Sequence, residues 1–205
     1  MTGTDDFRNR VCNSVRASIE TKERLLSSGE TLATVADVCE ILVSALQRGR
    51  KVFLFGNGGS AADAQHIAAE FVGRFAFDRP ALPALALSVN TSCVTAIGND
   101  YGFDYVFARQ IEALGTEGDV AIGISTSGNS PNVLLALSAA KNKGLSTVAL
   151  AGCTGGKLKA VVDHCICVPS KETPRIQECH ILIGHIFAEL VEEIMFYEQS
   201  RVSRS

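Results

Sequence analysis

Two short apolar runs, residues 51–55 and 119–124, each lead into a turn of glycines and hydroxyl residues and then into helix-periodic sequence. The first turn is Gly56-Asn57-Gly58-Gly59-Ser60, and the second is Ser125-Thr126-Ser127-Gly128-Asn129-Ser130. Parallel strands need a long crossover, usually helical, so a strand that passes through a turn into a helix is half of a parallel unit. Occurring twice, it sets both turns at the carboxyl edge of one sheet, where open α/β folds bind ligands. Further strand-like runs at 84–88, 146–150 and 165–168 alternate with helical patterns at 60–75, 91–98, 105–114, 131–143 and 174–198. The expected fold is α/β, an open and mostly parallel five-stranded sheet with helices on both faces, in three layers. Upstream, helical spacing over 6–26 and 31–47, with Gly29 as a break and Gly49 as a stop, predicts an N-terminal helical hairpin. Ser130 before Pro131 reads as a helix start, a hydroxyl cap followed by a first-turn proline. Only the tail, 201–205, reads as prone to fray.

With 205 residues and 46% hydrophobic content, the chain has enough apolar surface for one substantial core, so 1–205 is read as a single domain, a hairpin (1–49) on an α/β core (50–205). A net charge of −3 and a pI near 5.8 give no basic footprint, which argues against nucleic acid as a ligand. No apolar stretch nears the ~20 residues that span a bilayer, and residues 1–6 lack the features of a signal peptide, so a cytoplasmic protein is expected. The seven cysteines are odd in number, scattered and without a C-x-x-C, which predicts reduced, mostly buried thiols. Cys165 and Cys167 would share one strand face, a pattern of core packing rather than of ligation.

Glycines let the backbone approach a ligand, hydroxyls donate hydrogen bonds, and a starting helix offers free N–H groups; together these suit a phosphate dianion. Tight connection and capping would account for one such turn. Ser125, Thr126, Ser127 and Ser130 within six residues, with no lysine or arginine beside them, point further, to a phosphorylated small molecule. Gly56-x-Gly58-x-x-Ala61 formally matches the dinucleotide fingerprint. That reading needs an acid at the end of the second strand to hold the ribose, and 84–90 has neither acid nor arginine, so no nucleotide cofactor is expected. The mononucleotide P-loop pattern is absent.

On the helix after the first turn, His66 and Glu70 are four residues apart and share a face; on the last helix Gln177 precedes His185 by eight residues. Each helix thus offers a nitrogen and an oxygen ligand for a divalent metal such as zinc. From spacing alone His66 and Glu70 also read as an exposed helical pair, and His185 as a buried histidine.

The ordered set Gly56–Ser60, Asp63-Ala64-Gln65-His66, Glu70 with Gly73-Arg74, Gly98-Asn99-Asp100-Tyr101-Gly102, Gly123 through Ser130, and Arg175-Ile176-Gln177-Glu178 with His180 and His185 resembles the phosphoheptose (sedoheptulose-7-phosphate) isomerases of the sugar-isomerase (SIS) superfamily. The likeness runs from the first helix to the last. It implies a single SIS domain of flavodoxin-like topology that turns sedoheptulose 7-phosphate into D-glycero-D-manno-heptose 7-phosphate through an enediol, the entry to heptose for lipopolysaccharide or other surface glycans. It implies substrate contacts at Asn57, Gly58, Gly59, Ser60, Glu70, Asn99, Asp100, Ser125, Thr126, Ser127, Ser130 and Gln177. It further implies an acid and base at Glu70 and His185, and zinc on His66, Glu70, Gln177 and His185. A cytoplasmic homotetramer with active sites at subunit interfaces, built with the hairpin, completes what the family implies. Pro174 stands where some relatives carry an acid, so no substrate contact is assigned there. The alternatives are a non-catalytic family member that binds the DnaA replication initiator, or a sugar-phosphate sensor; neither needs the Glu70/His185 pair.

Overall fold

The computed structural model describes residues 4–196. Two helices, α1 (Thr4–Leu26) and α2 (Gly29–Gln47), precede β1 (Val52–Gly56), α3 (Gly59–Val72), β2 (Ala84–Ala86), α4 (Thr91–Asp100) and α5 (Ala108–Leu114). Then follow β3 (Val120–Ser125), α6 (Pro131–Asn142), β4 (Ser146–Ala151), β5 (His164–Cys167) and α7 (Thr173–Met195). The strands form one sheet in the order β2-β1-β3-β4-β5, and every neighbouring pair is parallel. This is the flavodoxin-like order, whose switch point lies between β1 and β3. The two Gly/Ser turns leave those adjacent strands, so topology alone sets them side by side.

β1 and β3 are buried at every position, as expected of strands covered on both faces. Their side chains alternate between two cores. Val52, Leu54, Ile122 and Ile124 pack under α2, α3 and α7, whereas Phe53, Phe55 and Ala121 pack with residues of α5 and α6. α3 and α7 lie close because Gly184 meets Ile67; a Cβ there would collide with the Ile67 side chain.

Some boundaries differ from expectation, for local reasons. Gly29 opens α2 rather than breaking the helical run, and the break falls at Ser27-Ser28. α3 stops at Val72 instead of 75, because Gly73 caps it and the following backbone N–H groups turn to a buried carboxylate, described below. α5 begins at Ala108 rather than 105, after Gly102 at φ +93° and a 3-10 turn over Phe103–Tyr105. α7 closely follows its expected span, but 197–198 and the tail 201–205 lie outside the described residues. No cysteine is disulfide-bonded, but only Cys39 and Cys179 are buried, so mostly buried thiols are not what the fold provides. No described helix is long and apolar enough to cross a membrane.

α1 departs from a self-contained fold. Phe7, Val11, Val15 and Ile19 recur every four residues along it, and all are at least half exposed. An apolar stripe at that period is the buried face of an amphipathic helix, yet among the described residues nothing covers it.

Candidate active site

The second turn gathers three hydroxyls. Ser125 Oγ lies 2.9 Å from Ser130 Oγ and 3.5 Å from Ser127 Oγ. Ser130 occupies the N-cap position of α6, but its side chain makes no capping bond; the expected hydroxyl cap is absent because that hydroxyl pairs with Ser125. Among the described residues the opening N–H groups of α6 therefore have no side-chain acceptor, which suits an anion at this helix end. The turn is braced from behind. Gly128, at φ +66°, packs against Gly155 so closely that no Cβ fits, the Leu158 N–H donates to its carbonyl at 3.0 Å, and the Gly152 N–H donates to the Thr126 carbonyl at 3.0 Å. A cavity of about 280 Å³ opens beside it, lined by Thr126, Ser127, Thr154, Ser170 and Lys171 among others. Lys171 gives this cavity the cation that the turn itself lacks. It is 41 residues beyond Ser130, so no local pattern exposes it.

At the first turn the Asn57 side chain is already engaged. It forms a reciprocal amide pair with Asn132, with bonds of 2.9 and 2.8 Å, that ties the two turns together across the switch point. Asn132 was not among the sequence candidates; it is 2% exposed at the start of α6. Gly58 and Gly59 are exposed, and Ser60 is buried against Gly56. The Gln177 amide rests over Gly59, where an added Cβ would lie 2.5 Å from Nε2. Asn99 and Asp100 end α4, exposed and bonded to each other at 2.8 Å; among the described residues no hydrogen bond joins them to either turn.

A second group forms further along α3. His66 Nε2 lies 2.9 Å from His185 Nε2 and 3.2 Å from Glu70 Oε1, and one ligand atom from each of the three residues falls within 4.8 Å of the others. Four-residue spacing stacks His66 over Glu70, and the close packing at Gly184 brings the adjacent His185 to meet them. Two imidazole nitrogens and a carboxylate oxygen are a fitting donor set for zinc, and three protein ligands with an open position are the pattern of a catalytic zinc site. Gln177 does not join them within the chain, being eight residues, or about 12 Å of helix rise, before His185. Glu70 likewise lies about 15 Å of rise beyond Ser60 and the turns.

A buried network holds this group's surroundings. The Glu192 carboxylate accepts from the N–H groups of Phe75 (2.8 Å), Ala76 (2.7 Å) and Phe77 (3.3 Å) and from Arg79 Nε (2.9 Å). Arg79 in turn donates to the carbonyls of Phe71 (2.7 Å) and Glu70 (2.8 Å). Burial pushes the Glu192 carboxyl up, but the three N–H groups and the guanidinium outweigh it and hold it below the ordinary range. The loop so fixed sets the Phe75 ring 5.8 Å from that of His185. Glu192 had a signal in the sequence, a charge on the apolar stripe of α7 beside Ala188 and Val191; its partner Arg79 had none.

A cavity of about 560 Å³ is an apolar groove lined by Leu85, Leu87, Val89, Ile97, Tyr101 and Leu114 among others. Its lining is mostly apolar, with the Arg109 guanidinium over the Tyr101 ring as its charged group, so the acid–base chemistry is assigned to the turns and the His/Glu group instead.

The SIS-domain family model matches residues 16–152. A phosphoheptose isomerase of Aneurinibacillus thermoaerophilus is 57% identical over 186 residues, covering 91% of this chain and 94% of that protein. One from Clostridium acetobutylicum is 52% identical over 193 residues, covering 94% and 98%. Among solved structures, the phosphoheptose isomerase of Neisseria gonorrhoeae superposes with a TM-score of 0.86 at 42% identity, covering 91% of this chain and 99% of that one.

Proposed function

The chain belongs to the SIS-domain family and, within it, to the phosphoheptose isomerases, and from that membership we propose that it converts sedoheptulose 7-phosphate to D-glycero-D-manno-heptose 7-phosphate. The observation that carries the reading is the convergence of Glu70 and His185, an acid–base pair that a non-catalytic regulator or sensor has no use for. The Ser125, Ser127 and Ser130 hydroxyls, the start of α6 and Lys171 bind the 7-phosphate, and Gly58 and Gly59 let the sugar approach the backbone. Asn99, Asp100 and Gln177 complete the substrate contacts.

Glu70 takes a proton from C1 of the ketose, the C1–H electrons form the C1=C2 bond, and the carbonyl oxygen on C2 gains a proton to give the enediol. Return of the first proton to C2, with loss of the O1 proton, forms the C1 aldehyde. His185 moves the oxygen-bound protons in both halves, so no electron leaves the substrate and no nicotinamide is needed. Binding energy from the phosphate, remote from C1 and C2, serves to orient the reacting carbons. His66, Glu70 and His185 would hold a zinc ion, which would supply Lewis-acid polarisation of the carbonyl.

Along α3 the Glu70 group stands about 15 Å of helix rise from the first turn. From the family resemblance, the enzyme is read as a homotetramer working in the cytoplasm, with its active sites built at subunit interfaces. The bare stripe on α1 supports this, since Phe7, Val11, Val15 and Ile19 need a covering partner. The whole chain serves as one domain whose 1–49 hairpin builds the assembly.

Incubation of the purified protein with sedoheptulose 7-phosphate, in solvent deuterium oxide without nicotinamide, tests the reading by NMR. Expected are the aldose phosphate and exchange of the transferred hydrogen. Absence of both from an intact oligomer supplied with zinc would overturn it.

A further inference from the structure

His180 is a buried titratable group that the mechanism above leaves without a task. It is 0% exposed, on the inner face of α7. Its Nε2 lies 3.2 Å from the Ala151 carbonyl oxygen, which can only accept, so Nε2 carries the proton. Nδ1 is then a bare acceptor, buried and without a hydrogen-bond partner among the described residues. Leaving such a group unpaired costs stability, and a methionine of similar volume would avoid that cost. What methionine could not supply is the N–H on Ala151.

That bond falls at the root of the serine turn. Ladder pairing between β3 and β4 ends at Ser125 and Ala151. Just past it, the Gly152 N–H donates to the Thr126 carbonyl at 3.0 Å. The Ala151 carbonyl and the Gly152 N–H belong to one peptide group, which is planar and moves as a unit. His180 and the Val168 N–H, the latter at 2.9 Å, hold its oxygen, and its own N–H holds Thr126. Donation to the oxygen also polarises the peptide and strengthens the bond made by its N–H. Ile176, one turn before His180 on the same face of α7, closes on Gly152, where a Cβ would lie 2.8 Å from its Cδ1. Thr126, Ser127, Gly152 and Ile176 all line the cavity beside the turn.

We infer, on the reading of the serine turn as the phosphate site, that His180 is a positioning residue for phosphate binding: its Nε2–H, relayed through the Ala151–Gly152 peptide, fixes the Thr126–Ser127 backbone and with it the hydroxyls of the turn. Being buried, His180 acts through the backbone rather than on the substrate. Burial pushes the imidazole down to about 4, so the neutral Nε2–H form persists across the neutral range.

Inorganic phosphate is the probe, titrated by calorimetry into the full-length oligomer, beside KM and kcat for sedoheptulose 7-phosphate. His180→Met removes the donor and the bare Nδ1 together. It should weaken phosphate binding and raise KM by about three- to tenfold, the worth of one hydrogen bond, with a smaller fall in kcat. His180→Gln returns an N–H near the Nε2 position and should recover most of the affinity. A role in stability alone would lower the melting temperature and the amount of active protein, but leave KM and the phosphate affinity of the folded fraction unchanged. In the wild-type protein, NMR should show the His180 ring as the Nε2–H tautomer, and phosphate should shift that ring proton and the Gly152 amide; this readout does not depend on whether the variants fold. Ser127→Ala is the control for the phosphate site. If it weakens phosphate binding while His180→Met leaves affinity unchanged, or if saturating phosphate leaves the wild-type signals unmoved, the inference is overturned. If Ser127→Ala has no effect either, the serine turn is not the phosphate site and the reading beneath the inference falls with it.

Discussion

Replacing Glu192 by Gln changes one atom and one charge, yet the structure predicts one of the largest losses available to a single substitution. Both side chains of the Arg79–Glu192 pair are 1% exposed, so water screens neither. Oε2 accepts from the Phe75 N–H and Arg79 Nε, and Oε1 from the N–H groups of Ala76 and Phe77. Whichever way a glutamine amide is turned, its NH2 faces two donors, and the guanidinium loses its only counter-ion in the pair. Breaking a buried ion pair from one side costs about 3–5 kcal/mol, against a total stability of about 5–15 kcal/mol for a typical domain. Urea unfolding of both proteins at neutral pH measures the difference. Because Arg79 also holds the Glu70 carbonyl and the loop holds Phe75 beside His185, turnover should fall at temperatures where the variant is still folded. Arg79→Met should be similarly costly, and the double variant should cost less than the two single losses added together. A Glu192→Gln protein within about 1 kcal/mol of wild type would refute the buried-charge reasoning, since ordinary surface changes alone span about half that.

Glu70→Gln keeps shape but removes the proposed base, so kcat should fall by ~10²–10⁴ with binding retained. Ser127→Ala should instead weaken binding by about 1.5–3 kcal/mol, one to two orders of magnitude, and calorimetry beside kcat separates the two. Exhaustive chelation should abolish activity, and zinc should restore it at one ion per His66–Glu70–His185 group; an enzyme that keeps its rate after chelation works without the metal. His180 is fully buried, its Nε2 3.2 Å from the Ala151 carbonyl, and burial lowers it from the ordinary 6.5 to about 4. Its contribution to stability is present above pH 6.5 and is lost as the pH falls towards 4, by roughly 1.4 kcal/mol per pH unit and about 3 kcal/mol in all. Urea midpoints should therefore drop between pH 7 and 4.5 less steeply in His180→Gln than in wild type; equal slopes would mean that His180 is not held neutral.

The architecture was legible in the sequence because its determinants are local. Continuous apolar runs such as 52–55 and 120–124 can only be strands buried on both faces, and the turn chemistry after them announces the carboxyl edge. The spacing of His66 and Glu70 is a property of one helix, so the pair could be read without coordinates. What tertiary structure decided are relations between segments far apart in the chain. That His185 meets His66 depends on Gly184 packing against Ile67, and that Gln177 lies at Gly59 instead depends on how α7 crosses α3. Ser130 reads locally as a cap, but its hydroxyl goes to Ser125, five residues back, because the turn folds the two together. Asn57 with Asn132, Arg79 with Glu192, and Lys171 beside the serine turn carry no periodicity that reveals them. A pairing across 75 or 113 residues is fixed by the packing of whole helices and strands, and hydrophobic patterning specifies which face is buried but not which polar groups meet there.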